Sequence, residues 1–241
     1  MLAIKELQQS TKNRLLAALP TQEYERLIPY LELVSLPLRQ VIYESGEPIK
    51  YVYFPNNAIV SLVSTMSDGA TVEVGVVGNE GMVGVPVFLG GDSTLNQAFV
   101  QFAGDGMRIE AHRLKAEFNR GGVLQSLLLR YTQALLTQAS QTAACNRLHT
   151  VEERFARWLL VFADRIQSDQ FPLTQEFVSQ MLASRRAGVS VVAGTLQQAG
   201  IIRYTRGKIT ILNREALEDT SCECYGLVKA EFSRLIGAEY A

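Results

Sequence analysis

The spacing of hydrophobic and polar residues divides the chain into regions of different period. Residues 2–33 predict helices, with Leu15, Leu16 and Leu19 on one face and Thr21 as the N-cap of a second helix. Residues 36–111 change to short β-branched and aromatic runs, and Gly- and Asn-rich clusters between them, including residues 104–106, predict turns. The predicted strands are QVIYES, YVYFP, AIVSLVSTM, TVEVGVVG, MVGVPVF and NQAFVQF. Many short strands with regular turns indicate a barrel or a double-sheet jelly roll.

A third region, residues 123–146, returns to a helical period and contains neither Pro nor Gly. Residues at alternating spacings of four and three form a coiled-coil seam, and we expect them to form a dimer interface. These residues are Leu124, Leu128, Tyr131, Leu135, Gln138 and Thr142, with Cys145 continuing the series. A second set, Leu129, Leu136 and Ala143, lies on a different face. Burial of the helix within one chain remains the alternative, because Gln138 and Thr142 weaken the seam.

The fourth region predicts the order helix, helix, turn, helix and β-hairpin. Thr150 and Glu153 have the spacing of a capping box at the start of the helix ERFARWLLVFADRI. Thr174 is placed to cap the short helix QEFVSQML, and the hairpin IIRYTRGKITIL is expected to turn near Arg206 and Gly207.

The two short helices of this region satisfy the positional requirements of a helix-turn-helix, whose helices cross around a shared apolar contact. The apolar positions are Val178, Leu182, Val189 and Val192, and the small positions are Ser179 and Ala183. We expect Ala183 to adopt the left-handed backbone that usually favours glycine, at a cost on the order of 1 kcal/mol.

The net charge of the chain does not favour a nucleic-acid partner, but the charge of one region does. The 241-residue chain has a net charge of −1, yet residues 173–214 hold six cations and a single acid, Glu176. Those cations are Arg185, Arg186, Arg203, Arg206, Lys208 and Arg214. Arg185 and Arg186 lie at the N-terminal end of the second short helix, the part that meets base edges in the major groove.

The absence of several motifs from the sequence argues against other classes of protein. Three cysteines and the absence of a signal peptide or an apolar stretch of about 20 residues predict a cytoplasmic protein without membrane spans. Two histidines, both outside the strand-rich core, do not supply a cupin metal set, and no GxSxG elbow or phosphate loop is present, so we expect no enzyme. Cys222 and Cys224 alone provide half a zinc site, so we expect ordinary thiols there; a metal or redox pair is the alternative.

Three stretches resemble the Crp/Fnr family of bacterial transcription regulators: LPLRQVIYESGEPIKYVYFPNNAIVSLV, GNEGMVGVPVF and LTQEFVSQMLASRRAGVSVVAGTLQQAGIIRYTRGKITIL. The resemblance covers about residues 15–214 and implies an α+β fold. Its parts are an N-terminal double-stranded β-helix (jelly roll) sensor domain with N-terminal helices (1–120), a long dimerisation helix (121–148), and a C-terminal winged helix-turn-helix with a helical tail (149–241). It implies a homodimer that binds a palindromic DNA operator and contacts RNA polymerase. An effector-sensing jelly-roll module acting through protein–protein contacts is the alternative.

The resemblance also implies which residues meet DNA, around a recognition helix at about 184–196. They are Thr174, Gln175, Ser184, Arg185, Arg186, Gly188, Val189, Ser190, Arg206 and Lys208. Arg186 aligns with the first arginine that the cyclic-AMP receptor uses to read a TGTGA-type half-site, whereas Ala187 and Val191 replace that receptor's glutamate and second arginine. We therefore expect a half-site that keeps one guanine and otherwise departs from TGTGA.

The family resemblance does not identify the effector. Candidate pocket residues are Glu80, Gly81, Met82, Asn96, Gln97, Ala139 and Ser140. In cyclic-AMP-binding members an Arg-Ser pair holds the phosphate where Asn96 and Gln97 stand here, and Glu80 is out of register with the ribose-binding glutamate. A buried phosphate without its arginine costs several kcal/mol, so we expect no cyclic AMP in the usual pose. The N-terminus has no cysteines for an iron–sulfur cluster, and His112 and His149 do not suggest haem ligation, so neither cofactor is expected.

Overall fold

The structure is a computed structural model, and it describes residues 11–237. Its helices are α1 (Arg14–Ala17), α2 (Thr21–Leu27), α3 (Pro86–Leu89), α4 (Ala111–Asn119), α5 (Val123–Leu148), α6 (Val151–Ile166), α7 (Gln175–Met181), α8 (Arg186–Gln198), α9 (Arg214–Thr220) and α10 (Cys224–Ile236). Its strands are β1 (Glu32–Leu36), β2 (Val41–Tyr43), β3 (Tyr51–Pro55), β4 (Ile59–Thr65), β5 (Thr71–Val77), β6 (Gln97–Phe102), β7 (Gly104–Glu110), β8 (Gln170–Pro172), β9 (Ile202–Thr205) and β10 (Lys208–Ile211). The start of the first predicted helical region, before residue 11, lies outside the described residues.

Two sheets form the N-terminal β-domain, in the orders β1-β7-β3 and β2-β6-β4-β5. β7 lies between β1 and β3 and pairs antiparallel with both, placing Met107 opposite Leu33 and Ile109 opposite Val52. Val52, Ile109, Ile59 and Val100 are at most 1 % exposed, so residues from both sheets contribute to the core. The predicted fold class, an α+β chain with a jelly roll, a long helix and a winged helix-turn-helix, is confirmed.

Several local predictions in the N-terminal half are wrong in detail. Strand structure begins at Glu32 and not at residue 36, and Thr21 is the first residue of α2, which follows Pro20 without a side-chain cap. MVGVPVF does not form a strand: Val83 makes an isolated bridge to Tyr53, and Pro86 then starts α3. The fixed φ of proline suits the first turn of a helix, where its missing N–H costs nothing.

Residues 104–106, predicted as a turn, belong to strand β7 instead. A Cβ atom added to Gly104 would lie 2.6 Å from the backbone nitrogen of Ala58, and one added to Gly106 would lie 2.8 Å from the carbonyl oxygen of Phe54. These glycines therefore permit a close approach of neighbouring backbone, a role that sequence does not distinguish from a turn.

The long helix forms as predicted, but the face assigned to a dimer partner is buried within the chain. Leu124, Leu128 and Tyr131 are at most 2 % exposed. The Tyr131 hydroxyl donates to the carbonyl oxygen of Met82 at 2.9 Å, and its ring packs edge-on against Phe232 with centroids 6.4 Å apart. The assignment is corrected because the chain's own residues, including the C-terminal helix α10, already cover this face.

The rest of the predicted seam shares this burial: Gln138 and Thr142 are buried and Leu135 is half-buried. A different stripe of α5 is exposed, and it too follows alternating spacings of three and four. We call it the exposed α5 stripe; it consists of Ser126, Leu129, Gln133, Leu136, Ser140, Ala143 and Arg147. It contains the second set of residues noted in the sequence.

Backbone contacts divide the chain into two compact units. Among the described residues, the first comprises residues 11–62, 75–136 and 232–237, and the second comprises residues 63–74 and 137–231. The end of α10, from Phe232, belongs with the first unit, and the beginning of α10 belongs with the second. None of the helices described is long and apolar enough to cross a membrane.

The second unit contains the winged helix-turn-helix. Thr150 and Glu153 form the predicted capping box at the start of α6. The wing sheet has the order β8-β10-β9, so the hairpin has a third strand that the sequence did not predict. Phe171 in β8 is 1 % exposed and pairs with Ile209, which explains why so short a segment is held as a strand. The tail adds helix, as expected, in α9 and α10.

Candidate nucleic-acid interface

The crossing of α7 and α8 is built from the apolar positions predicted by the sequence. Val178, Leu182 and Val189 are at most 2 % exposed. Val192 is only half-buried, whereas the adjacent Ala193 is 3 % exposed, so the buried face of α8 continues through Ala193. Val189 was also predicted to contact DNA; its complete burial corrects that assignment.

The turn between the helices has the expected strained backbone. Ala183 has φ = +46°, the left-handed conformation predicted for this position. Its N–H donates to the carbonyl of Gln180 at 3.0 Å, and the N–H of Ser184 donates to the carbonyl of Ser179 at 2.9 Å. The buried guanidinium of Arg154 donates to the Leu182 carbonyl. These bonds fix the angle at which α8 leaves the turn.

The residues that begin α8 are exposed and cationic. Arg185 is the N-cap, Arg186 is the first helical residue, and neither has an acidic partner among residues 11–237. The helix therefore begins two residues later than the predicted 184. Ala187 is exposed and Val191 is 69 % exposed, so both are free to face a ligand.

Four other predicted DNA-contact residues form hydrogen bonds in or beside the two helices. The Ser190 hydroxyl lies 2.5 Å from Gln175 Oε1, to which it donates, and 3.0 Å from the Arg186 carbonyl oxygen. Thr174 is exposed and caps α7, accepting from the Phe177 N–H at 3.2 Å. Ser184 is half-buried and donates to the Leu182 carbonyl at 3.1 Å. The Ser190–Gln175 contact joins α8 to α7, whereas the other two bonds stabilise the start of α7 and the turn.

Gly188 has no packing reason to be glycine. A Cβ atom added to it would meet no atom of the chain within 4 Å, and the same holds for Gly194 in the same helix. Glycine inside a helix costs roughly 0.5–1 kcal/mol relative to alanine. The bare surface at Gly188 therefore suits close approach by something outside the chain.

The wing presents further cations beside this helix pair. Arg206 and Gly207 have φ of +52° and +75°, confirming the turn between β9 and β10. Arg203, Arg206 and Lys208 are exposed, and the carbonyl of Gly207 accepts from the Leu173 N–H at 2.8 Å, one residue before the α7 cap. Arg214, included among the local cations, is instead bound to Asp164 and Glu218, so its charge is already compensated.

A small cavity lies in the first unit, close to two of the predicted effector residues. Its volume is about 140 Å³, and its lining includes Tyr43, Met82, Val85, Asn96 and Leu135. None of the described residues lining it is charged. The remaining candidates are placed elsewhere: Gln97, Glu80, Gly81, Ala139 and Ser140 are not among its lining residues.

Two family comparisons match separate parts of the chain. Residues 153–220 match the Crp-like helix-turn-helix domain, and residues 33–119 match the cyclic nucleotide-binding domain. The chain belongs to the Crp/Fnr family. It is a DNA-binding transcriptional regulator of the Crp/Fnr type.

Solved structures share the fold at low sequence identity. A Crp/Fnr-family transcriptional regulator from Eubacterium rectale has a TM-score of 0.69 at 15% identity, covering 86% of this chain and 96% of that one. FixK2 from Bradyrhizobium japonicum has a TM-score of 0.69 at 20% identity, with coverages of 80% and 98%. The c-di-GMP-responsive regulator CLP from Xanthomonas campestris has a TM-score of 0.65 at 16% identity, with coverages of 80% and 99%. Among curated proteins no match is found.

The candidate effector residues of this Crp/Fnr chain lie among uncharged groups or contact the chain's own residues. Pockets for small ligands usually occupy about 300–1,000 Å³, whereas this cavity has about 140 Å³. Gln97 Nε2 donates to Glu44 Oε2 at 2.6 Å, so a carboxylate stands beside the position where a phosphate would need a cation. Glu80 is 2 % exposed and accepts from the Gly78 N–H of its own loop at 3.1 Å. A Cβ atom on Gly81 would meet the Tyr131 ring, so Gly81 serves packing.

Sequence reasoning missed one cluster in this Crp/Fnr chain. Cys145, His149, Cys222 and Cys224 place their donor atoms within 4.8 Å of one another. A hydrogen bond from Cys222 lowers the pKa of Cys145 to about 5, and the same bond raises the pKa of Cys222. The signal that could have found the cluster is the i, i+4 spacing of Cys145 and His149, which puts both on one face of a helix.

Proposed function

We propose that this Crp/Fnr regulator is a homodimer that binds a palindromic operator through the N-terminal end of α8. The observation that carries the proposal is the exposed pair Arg185 and Arg186, held without acidic partners above a hydrogen-bonded turn. A guanidinium forms two parallel hydrogen bonds with guanine O6 and N7, the commonest specific contact in the major groove. The rigid support of α8 keeps the ordering cost of that contact low.

Base recognition in this proposal is divided among four residues. Arg186 reads one guanine, while Arg185 binds the phosphate backbone or reaches a neighbouring guanine. Ala187 cannot accept a hydrogen bond from cytosine, and the exposed Val191 offers a surface for a thymine methyl. The half-site therefore keeps one guanine and differs from TGTGA at the positions opposite Ala187 and Val191.

The proposed dimer forms through the exposed α5 stripe. Leu129 and Leu136 are 47% and 63% exposed and one heptad apart, and the polar Gln133 lies between them on the stripe. Exposed leucines at this spacing are typical of a helix that pairs with a second copy. Two winged helices in a symmetric dimer would bind half-sites about 34–36 Å apart, which is the reason for proposing a palindrome.

The proposed regulator does not respond to cyclic AMP in the usual pose of the family. The small uncharged cavity and the Glu44–Gln97 pair support this. CLP, which shares the fold, is named as c-di-GMP-responsive, which is consistent with a fold that serves different effectors. We also propose that function divides as 1–120 for sensing, 121–148 for pairing and 149–241 for DNA binding, with RNA polymerase as the partner expected of such a regulator.

Selection of bound fragments from a random DNA pool tests the proposal. Bound sequences should converge on a palindrome, and mobility shifts of the selected DNA should weaken steeply between two salt concentrations, because released counterions rebind the phosphates. Absence of enrichment together with weak, salt-insensitive binding would favour the alternative, a jelly-roll module that acts through protein–protein contacts.

A further inference from the structure

All three cysteines of the chain and one of its two histidines meet at one place in the second unit. Cys145 Sγ and Cys222 Sγ are 3.5 Å apart, and Cys224 Sγ is 3.5 Å from Nδ1 of His149. The three cysteine residues are buried, and each thiol is free of a disulfide. Such convergence from residues 77 positions apart needs an explanation that the helix-turn-helix does not supply.

Local structure explains how four separate residues converge. Cys145 lies in the last turn of α5, and the His149 N–H donates to the Cys145 carbonyl at 3.1 Å, so both side chains leave the same side of that turn. Cys222 lies between α9 and α10, and Cys224 is the first residue of α10. The cluster therefore joins the end of α5 to the beginning of α10.

We propose that Cys145, His149, Cys222 and Cys224 bind one Zn²⁺ ion in a tetrahedral site. Zn–S bonds of about 2.3 Å and tetrahedral angles put neighbouring ligand atoms roughly 3.7 Å apart, close to the two 3.5 Å separations seen here. A Cys₃His set is among the usual structural zinc sites. An iron–sulfur cluster with several irons fits less well, because its thiolates bind different irons and stand further apart.

Groups around the four ligands have the roles expected of an outer shell. Nδ1 of His149 faces Cys224, while its Nε2 lies 3.3 Å from Glu223 Oε2, the carboxylate–histidine arrangement that orients zinc-bound imidazoles. Gln141 Nε2 donates to Cys224 Sγ at 3.1 Å, a bond that suits a thiolate acceptor. These contacts bring a carboxylate to His149 and an amide to Cys224.

The proposed site has a charge opposite in sign to that of two nearby buried arginines. Zn²⁺ with three thiolates and a neutral imidazole carries a net charge of −1. Arg154 and Arg157 are buried, at 7 % and 8 % exposed, and both charges act on Cys145. A buried cation requires a compensating charge, so the zinc–thiolate unit and these arginines stabilise each other.

The site is structural in this proposal because it is closed. Four protein ligands fill a tetrahedral coordination shell, whereas a catalytic zinc keeps one position open. The ion would fasten the C-terminal helix α10 to α5 within the second unit. Because this role concerns metal content and stability, it stands or falls independently of the proposed operator.

Elemental analysis of the full chain, purified under reducing conditions without chelator, gives the first test. One zinc per chain is expected, and replacement by Co²⁺ should give the intense visible bands of a tetrahedral site with thiolate charge transfer in the near ultraviolet. Substoichiometric metal that zinc titration does not restore would overturn the proposal. A Cys145–Cys222 disulfide under these reducing conditions would overturn it in favour of a redox pair.

Substitutions then test the ligand set. Cys224→Ser and His149→Asn should each lower the zinc affinity by at least about tenfold and lower the Tm in a zinc-dependent manner, because a metal bound only to the folded state stabilises it. His112→Asn, at the other histidine, is the matched control and should retain full zinc. Circular dichroism checks that each variant is folded, and a folded Cys224→Ser variant with unchanged zinc affinity would contradict the assignment.

Discussion

The helix-turn-helix and the cavity of the first unit differ in how much of the family's chemistry each retains. In the former, the left-handed turn at Ala183, the buried contact through Val189 and the exposed Arg186 are all present. In the latter, the fold is present and Asn96 lines the cavity, but the family resemblance implies a phosphate-binding Arg-Ser pair at the positions of Asn96 and Gln97. In the proposed account, the β-domain keeps its fold although the side chains at those two positions differ from the ones that hold a cyclic phosphate.

The difference has a physical origin. A helix pair must cross at one angle to present its first turn to DNA, so its geometry depends on several buried positions acting together. Recognition of a cyclic phosphate depends on one or two charged side chains, and their replacement leaves the surrounding sheets intact. Fold and ligand are thus linked closely in one unit and loosely in the other.

The largest expected effect comes from the exposed α5 stripe. Replacing both Leu129 and Leu136 by Glu should give monomers in sedimentation, because two charges on each helix would be brought together in the pair. Losing the link between half-sites should weaken binding to the selected palindrome by about 100-fold or more. Leu148→Glu, at a residue 75% exposed but off the stripe, is the control.

A stable dimer that survives the double substitution would place the interface elsewhere. The double variant should still bind a single half-site. DNA binding by the helix-turn-helix and ligand binding by the first unit can therefore still be compared on a monomer.

The next effect tests whether α8 reads bases. Arg186→Ala should cost about 1–3 kcal/mol of binding free energy and relax the preference at one base pair, because the paired contact to guanine is lost. Arg186→Lys keeps the charge but not the two-pronged contact, so it should keep the salt dependence and lose the preference. Competition with DNA variants at each position measures both.

Lys208→Ala provides the contrasting result for that experiment. A wing cation binds phosphate, so its removal should weaken all sequences alike and lower the salt slope by about one. Unchanged base preference in Arg186→Ala would show that α8 does not read the DNA as proposed.

A smaller effect distinguishes the two glycines of α8. Gly188→Ala and Gly194→Ala should each stabilise the protein by roughly 0.5–1 kcal/mol, because neither added methyl meets another atom. Only Gly188→Ala should also weaken DNA binding, since Gly188 lies in the first turn and Gly194 lies about two turns from it. Thermal melts measure the stability of each variant, and anisotropy titrations measure its DNA binding. An equal loss of DNA binding in the two variants would contradict the close approach of DNA to Gly188.

The smallest expected effect is none. Cyclic AMP at micromolar concentration should leave the Tm unchanged, because a ligand that does not bind the folded state does not stabilise it. A rise of several degrees would mean that the first unit still binds the nucleotide, and the contrast between the two units would disappear.

Much of the fold can be predicted from the sequence, because several of its local structures depend only on residues that are adjacent in the chain. The Thr150–Glu153 capping box, the strained Ala183 and the turn at Arg206–Gly207 each depend on a few adjacent residues and were predicted. The β-strand at residues 104–106 and the strand β8 were missed because they depend on distant partners, Phe54 and Ile209 among them.

The candidate sites divide in the same way. Arg185 and Arg186 were identified from their own helix, and the structure leaves both exposed. The helical period of α5 identified two apolar faces, but it could not tell that α10 returns through Phe232 to cover Tyr131. The thiol cluster was missed for the same reason, because Cys145 and Cys222 meet only through the packing of the tail.

The most direct test of the contrast between the two units is a titration of labelled operator DNA with the full chain, with and without cyclic AMP at millimolar concentration. Fluorescence anisotropy should show binding to the selected palindrome at least about 1,000-fold tighter than to scrambled DNA, with the same Kd in both arms. Binding that does not distinguish the palindrome from scrambled DNA, or a Kd that falls when cyclic AMP is added, would contradict the account.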